Sequence, residues 1–268
     1  MMRILLIIFA LISLTGCVNE YKTNYKPTNG VTPEIINALR ANPAPLTPMV
    51  ERAPKLNADA LLALYSKRGF GLIGTSFFNT TNGSTDSAAA ETGKEQGADL
   101  VAIFDPQYTG STTSQVPITT PTTTTSFTNS NATAYGSGGV VNAYGTSTTT
   151  TYGSQTTYIP ITVNHVSYGA LYFIKVRHPL GVIPRDLNDA ERKQYQTNKG
   201  VVVSLVIDDS PAYMNDVLVD DIITEINNVK ILNQNDFYQA VFSNSNKLTK
   251  VGILRNGSNI EKQIQFSR

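Results

Sequence analysis

Residues 200–227 read GVVVSLVIDDSPAYMNDVLVDDIITEIN. Residues 200–207 form a nearly continuous apolar run, the pattern of a buried strand. Ser210-Pro211-Ala212 follows as a turn, and residues 220–227 supply a second strand carrying Ile222, Ile223 and Ile226. Outward from there, residues 235–243 (NDFYQAVFS) read as a helix with an Asn cap. Residues 250–255 and 260–266 are strands around Asn256-Gly257, the dipeptide most typical of a tight hairpin. Upstream, Leu180-Gly181-Val182 opens the same region.

Taken in order, Leu180-Gly181-Val182, Gly200, Ser210-Pro211-Ala212, Asp220-Asp221-Ile222-Ile223, Asn227-Asn228, the helix and Arg255-Asn256-Gly257 resemble a PDZ domain of the bacterial kind carried by HtrA-type periplasmic proteases. The resemblance spans about residues 176–268 and implies a partly open β-barrel with a capping helix. It implies binding of an extended peptide, usually a C-terminus, added as a strand beside the helix. Leu180, Gly181, Val182 and Ile183 would form the carboxylate-binding loop, with Gly181 letting the ligand backbone approach. Phe237, Ala240, Val241 and Asn244 would line the groove from one helix face. For Phe237 and Val241 taken singly, a core role is the simpler reading, since a helix on a small sheet must bury such residues. The family's glycines before the Asp and after the Asn are replaced by Asp220 and Asn228, and its Ala-Gly by Asn215-Asp216. Asn and Asp tolerate positive φ better than other non-Gly residues, so the turns remain possible.

The other end of the chain carries an address. Met1-Met2-Arg3 precedes an apolar run from Ile4 to Leu14, which fits a signal peptide and is short for a membrane span. Leu14-Thr15-Gly16-Cys17 contains the chain's one cysteine and resembles the lipobox of bacterial lipoproteins. The resemblance implies cleavage after residue 16, a diacylglycerol thioether on Cys17 and an acylated (palmitate-type) N-terminus. Several acyl chains anchor firmly where one does not, at about 0.8 kcal/mol per buried methylene. An ordinary secretory signal with an incidental cysteine fits less well. Val18 in place of Asp favours sorting to the outer membrane, on its periplasmic side, over the inner membrane.

Residues 17–55 are polar and dotted with proline, and read as a semi-stiff tether with one short helix capped by Thr32. Residues 56–175 read as a small α/β domain: a helix capped by Asn57, a strand at 70–78, a helix at 86–96 and a strand at 99–104. No Asp, Glu, Lys or Arg lies between Asp105 and Lys175, while residues 109–157 hold 18 threonines. Thr favours strands and Gly-rich centres favour turns, so this block reads as a long hairpin bent near 136–139, followed by strands at 159–166 and 168–176. A disordered low-complexity loop is the alternative; the tyrosines favour the sheet. The fold class is therefore α+β.

Chemistry is scarce. The net charge of +1 leaves no footprint for nucleic acid. One cysteine forms neither an internal disulfide nor a Cys-rich zinc site. The two histidines, His165 and His178, make no metal signature, and a structural or solvent-exposed role is expected for each. The 124 residues from Ala53 to Val176 are too few for a trypsin-like double barrel, and no Gly-Asn-Ser-Gly-Gly occurs. The expectation is a non-enzymatic lipoprotein without cofactor or metal, held in the membrane by its lipid. As an adaptor or scaffold it would bind peptides or C-termini of envelope proteins. The alternatives are a regulatory or substrate-delivery subunit of a separate protease, and a structural surface protein acting through the hairpin.

Overall fold

The computed structural model describes residues 18–137 and 139–268. Cys17 and the signal segment lie outside them. The first part of the chain runs α1 (Glu20–Thr23), β1 (Tyr25–Pro27), α2 (Pro33–Leu39), β2 (Met49–Arg52), α3 (Ala58–Lys67), β3 (Phe70–Thr80), α4 (Asp86–Glu95), β4 (Leu100–Ile103), β5 (Gln107–Gly136) and β6 (Gly139–Lys175). Thr32 on α2, Asn57 on α3 and Thr85 on α4 are side-chain N-caps in the expected helices, and Asn19 caps α1, a short helix that was not foreseen.

The strands form a sheet ordered β1-β3-β6-β4-β2, with β5 on β6. β4 runs parallel to β2 and antiparallel to β6, with Leu100 opposite Phe173. All four β4 residues are buried, because side chains alternate between two cores. Val101, Ile103, Tyr172 and Ile174 face Tyr21 and Ala89 of α1 and α4. Leu100, Ala102, Leu171 and Phe173 face Leu61 and Tyr65 of α3. A sheet covered on both faces needs apolar residues at every position, hence the unbroken apolar run at 100–104.

The expected tether at 17–55 is not a spacer where the structure describes it. β1 and β2 are the two outer strands of this sheet, so the α/β part begins well before residue 56. Tyr21 is 1% exposed and meets Phe78 edge-on at 4.9 Å. Arg40 Nη1 donates to Asp99 Oδ1 at 2.9 Å, and the Lys175 N–H donates to Asp99 Oδ2 at 2.6 Å. The prolines sit in the connections between these short pieces, at the end of β1 and at the start of α2. Proline there stiffens segments that are already pinned at both ends.

Tyr108–Val166 is a unit of its own, a two-stranded antiparallel ribbon. Hydroxyl pairs Thr113–Thr162 (2.9 Å) and Thr119–Thr156 (3.0 Å), and Thr133 donating to Asn142 (2.7 Å), keep one constant register. The reading of residues 159–166 and 168–176 as separate strands is replaced by one continuous strand, β6.

The C-terminal part runs β7 (Val182–Asp186), α5 (Asp189–Tyr195), β8 (Val201–Val206), α6 (Pro211–Met214), β9 (Ile222–Ile226), β10 (Val229–Lys230), α7 (Gln234–Ser243), β11 (Leu248–Arg255) and β12 (Ser258–Gln265). Its sheet is ordered β12-β11-β9-β8-β7, with β10 on β9. The Ser267 N–H donates to Pro179 O at 2.8 Å, linking the chain after β12 to the chain before β7. The core joins Val201, Val203, Ile223, Ile226, Val251, Ile253 and Ile264 to Phe237 and Val241 of α7. Three local details differ from the sequence reading. The cap of α7 is Asn233, not Asn235. Ser210-Pro211-Ala212 opens a helical turn, α6, rather than a simple turn. α5 was not foreseen, since it buries no residue; its capping box, Asn188 with Glu191, was the available signal.

The left-handed turns fall where the Asp and Asn substitutions stand: Asp216 at φ 52°, Asp220 at 70° and Asn228 at 63°. Next to one of them lies a buried ion pair. Arg255 reaches Asp221 through two bonds, Nε to Oδ1 at 2.6 Å and Nη2 to Oδ2 at 2.7 Å, while Oδ2 also accepts from the Leu218 N–H at 2.8 Å. The Asp221 side chain is 1% exposed.

Two variants test this account by urea unfolding. Tyr21→Ala should cost about 3 kcal/mol or more, as large aromatic truncations in cores do; a neutral result would return residues 18–27 to a tether. Arg255→Ala strands a buried carboxylate and should cost about 3 kcal/mol.

Candidate functional site

The loop before β7 is built around one close contact. Gly181 sits at φ +90°, and a Cβ placed on it would lie 2.0 Å from Cβ of Ser210. Ser210 caps α6 by accepting from the Tyr213 N–H at 3.2 Å, and its hydroxyl donates to Gly181 O at 3.3 Å. Gly181 O also accepts from the Ile207 N–H at 2.9 Å, and Leu180 O accepts from the Ala212 N–H at 2.8 Å. The close approach that requires glycine at this position is therefore made by the chain's own Ser-Pro-Ala segment.

β7 is the edge strand of its sheet, and α7 packs beside it. Its ladder with β8 shifts register between Ile183 and Pro184. A proline in a strand belongs on such an edge, where a missing donor is tolerated. A cleft runs between the loop and α7, lined by Leu180, Gly181, Val182, Phe237 and Val241 together with Arg177, His178, Tyr238 and Phe242. The expected residues thus divide. Five of them meet at the cleft, but Leu180, Val182, Phe237 and Val241 are core residues first, each 3% exposed or less. Ile183 and Ala240 are not among the lining residues. Asn244 ends α7, donating to Ala240 O at 2.8 Å and accepting from Asn227 Nδ2 at 2.7 Å, which ties the helix end to the β9–β10 turn.

The mouth is formed by residues that the sequence reading passed over. Tyr238 and Phe242 lie one turn apart on α7, with ring centroids 6.5 Å apart. The Arg177 guanidinium stands 5.0 Å from the Phe242 centroid, a cation–π geometry. The helical spacing of Tyr238 and Phe242, one residue on from Phe237 and Val241, was the available signal. His178 is more buried than expected. Burial, helped by nearby Lys175, pulls its imidazole down to about 4, so it is neutral at physiological pH. The free space in the cleft is about 10 Å³. That is about enough for one water molecule. An apolar side chain enters only if α7 and β7 part. Among the described residues no group of three or more His, Cys, Asp or Glu is placed to hold a metal ion.

Residues 179–265 match the PDZ domain family model. The chain carries a PDZ domain over this stretch, a binding module. Among solved structures, the HtrA3 PDZ domain bound to a phage-derived ligand is 18% identical, covering 33% of this chain and 83% of that one, with a TM-score of 0.30. The HtrA-type protease AlgW with a decapeptide is 19% identical, covering 36% of each chain, with a TM-score of 0.30. No curated protein matches the chain.

Two outcomes are expected. Gly181→Ala should destabilise the domain by about 2–3 kcal/mol through overpacking against Ser210. Unchanged stability would mean that the loop is free to move away. The unfolded chain protonates His178 near 6.5 and the folded chain near 4, so the unfolded state binds more protons between those values. Stability from this group is complete above 6.5, falls as pH drops through the window, and levels off below 4. His178→Asn should flatten unfolding free energy against pH in that range; an unchanged slope would remove His178 as its source.

Proposed function

We propose that this protein is a membrane-anchored bacterial lipoprotein whose PDZ domain captures peptides or C-termini of envelope proteins by strand addition. It acts as a non-enzymatic adaptor on the periplasmic side of the outer membrane. The observation that carries the binding reading is the open edge of β7 lying beside α7, directly after the Gly181 loop, within the stretch that matches the PDZ family model. Main-chain pairing along β7 supplies affinity, and the small cleft between Val182, Phe237 and Val241 supplies selectivity. The cleft's size favours a compact apolar terminal side chain, admitted as α7 moves outward. Arg177 at the mouth places a cation where a terminal carboxylate arrives. Anchoring rests on the sequence of the signal segment and Cys17.

A peptide library displayed with free C-termini, read against the full chain, tests the binding reading. Selected peptides should lose about tenfold or more in affinity when amidated, the scale of a charge-assisted hydrogen bond. Arg177→Glu should weaken the free-acid peptides and leave the amidated ones unchanged. Equal binding of acid and amide forms would sink C-terminal capture. Separately, Cys17→Ala should move the chain from the membrane to the soluble fraction, and unchanged membrane association would refute the anchor.

A further inference from the structure

The ribbon of β5 and β6 has features that the peptide-binding reading leaves unused. Between Asp105 and Lys175 it carries no formal charge on Asp, Glu, Lys or Arg. Among the described residues β5 pairs with β6, and no further strand lies along its distal part, residues 122–136. A two-stranded ribbon is marginal in water by itself; a third strand or a packed face is what makes such ribbons stable. Natural edges are protected by lysine, inward charge or proline. Here proline occurs only in the proximal half, at Pro117, Pro121 and Pro160. The distal half, residues 122–136 and 139–158, has neither proline nor charge.

The constant register sorts its side chains. Directly opposed residues share a face. The pairs Thr119–Thr156 and Thr133–Asn142 put Phe127, Tyr135, Tyr144 and Tyr152 together on one face. All four are at least 78% exposed. Among the described side chains, the opposite face of the distal half holds Thr, Ser, Ala, Gly and Gln155. It has no continuous apolar band of the kind that faces lipid in a membrane barrel.

We infer that the distal ribbon is a self-association surface: a second copy of this chain pairs its own distal strand edge to edge with the first, extending two strands to four. The occupant follows from charge. An edge without charge or proline over its length pairs without desolvating an ion only against another such edge, and every copy of the chain brings one. In this register Thr124 lies across from Thr151 and Thr125 across from Thr150, so each ribbon presents β-branched residues suited to further pairing.

The test is sedimentation velocity of the full chain in nonionic detergent over a concentration series. The chain should sediment as a dimer or larger species that dissociates on dilution. Thr123→Lys combined with Thr125→Lys should weaken association about tenfold or more by placing like charges on apposed edges. Thr123→Val with Thr125→Val should leave it intact. Far-ultraviolet circular dichroism and the mass of each variant are read on the same samples. A second measurement uses Thr128→Cys: mild oxidation should give a covalent dimer that the unsubstituted chain does not form. A chain that stays monomeric at every concentration overturns the inference. So does a lysine variant that associates as strongly as the original, or association only when anionic vesicles or a charged partner is added.

Discussion

The Gly181–Ser210 contact holds the β7–α7 side of the PDZ domain in place. One residue without a Cβ lets the loop before β7 lie directly on the start of α6, and the carbonyls of Leu180 and Gly181 are taken up there by three donors. The direction in which β7 leaves the loop follows from this, and with it the position of the open strand edge against α7. The same contact explains why a Leu-Gly-Val segment and a Ser-Pro-Ala segment 30 residues apart occur together. They are two halves of one packed corner. The closed cleft is a further consequence, since Leu180 and Val182 point into the core and draw α7 down through Phe237 and Val241. For the peptide capture proposed above, selectivity would be tied to how far a helix shifts, not to a preformed pocket.

A second corner works in the same way with polar groups. The tight turns at Asp216, Asp220 and Asn228 lie at positive φ without glycine. Each such residue costs of order 1 kcal/mol relative to a relaxed backbone. Asp221 and Arg255 offset part of this. Their bidentate pair joins the turn before β9 to the hairpin of β11 and β12, and Arg255 Nη2 also donates to Asp216 O at 2.7 Å. Two segments that look like separate turn motifs in the sequence are therefore one hydrogen-bonded assembly.

How much was legible in the sequence follows from these physical differences. The PDZ region was readable because its turns demand particular residues, and because β8 is a nearly continuous apolar run while β9 and β11 carry apolar residues at strand positions. The outer strands of the first sheet were not. Tyr25–Pro27 and Met49–Arg52 are three and four residues long, sit among prolines and expose much of their surface, so no period develops. What holds them is long-range: Tyr21 under Phe78, and Arg40 on Asp99. Such contacts leave no local trace. In the candidate site, the loop and the buried helix face were legible, but helical spacing alone does not say which neighbouring face borders a cleft. Arg177, Tyr238 and Phe242 emerged only with the packing. Asn244 illustrates the converse, a residue in the right phase whose bonds are spent closing the helix.

The placement of the ribbon in the chain has a kinetic consequence. Leu100 pairs with Phe173 across more than 70 residues of sequence, and closing so long a loop costs entropy that rises with its length. A ribbon that zips from its own turn removes most of that length before the strands of the sheet meet. β-Hairpins form in about 1–10 μs, far faster than a search between distant strands of a mixed sheet. Formed first, the threonine arms would shorten the loop that must close before the end of β6 pairs with β4. Shortening them to a tight turn would be expected to leave the rate of collapse little changed, whereas scrambling their register would slow it.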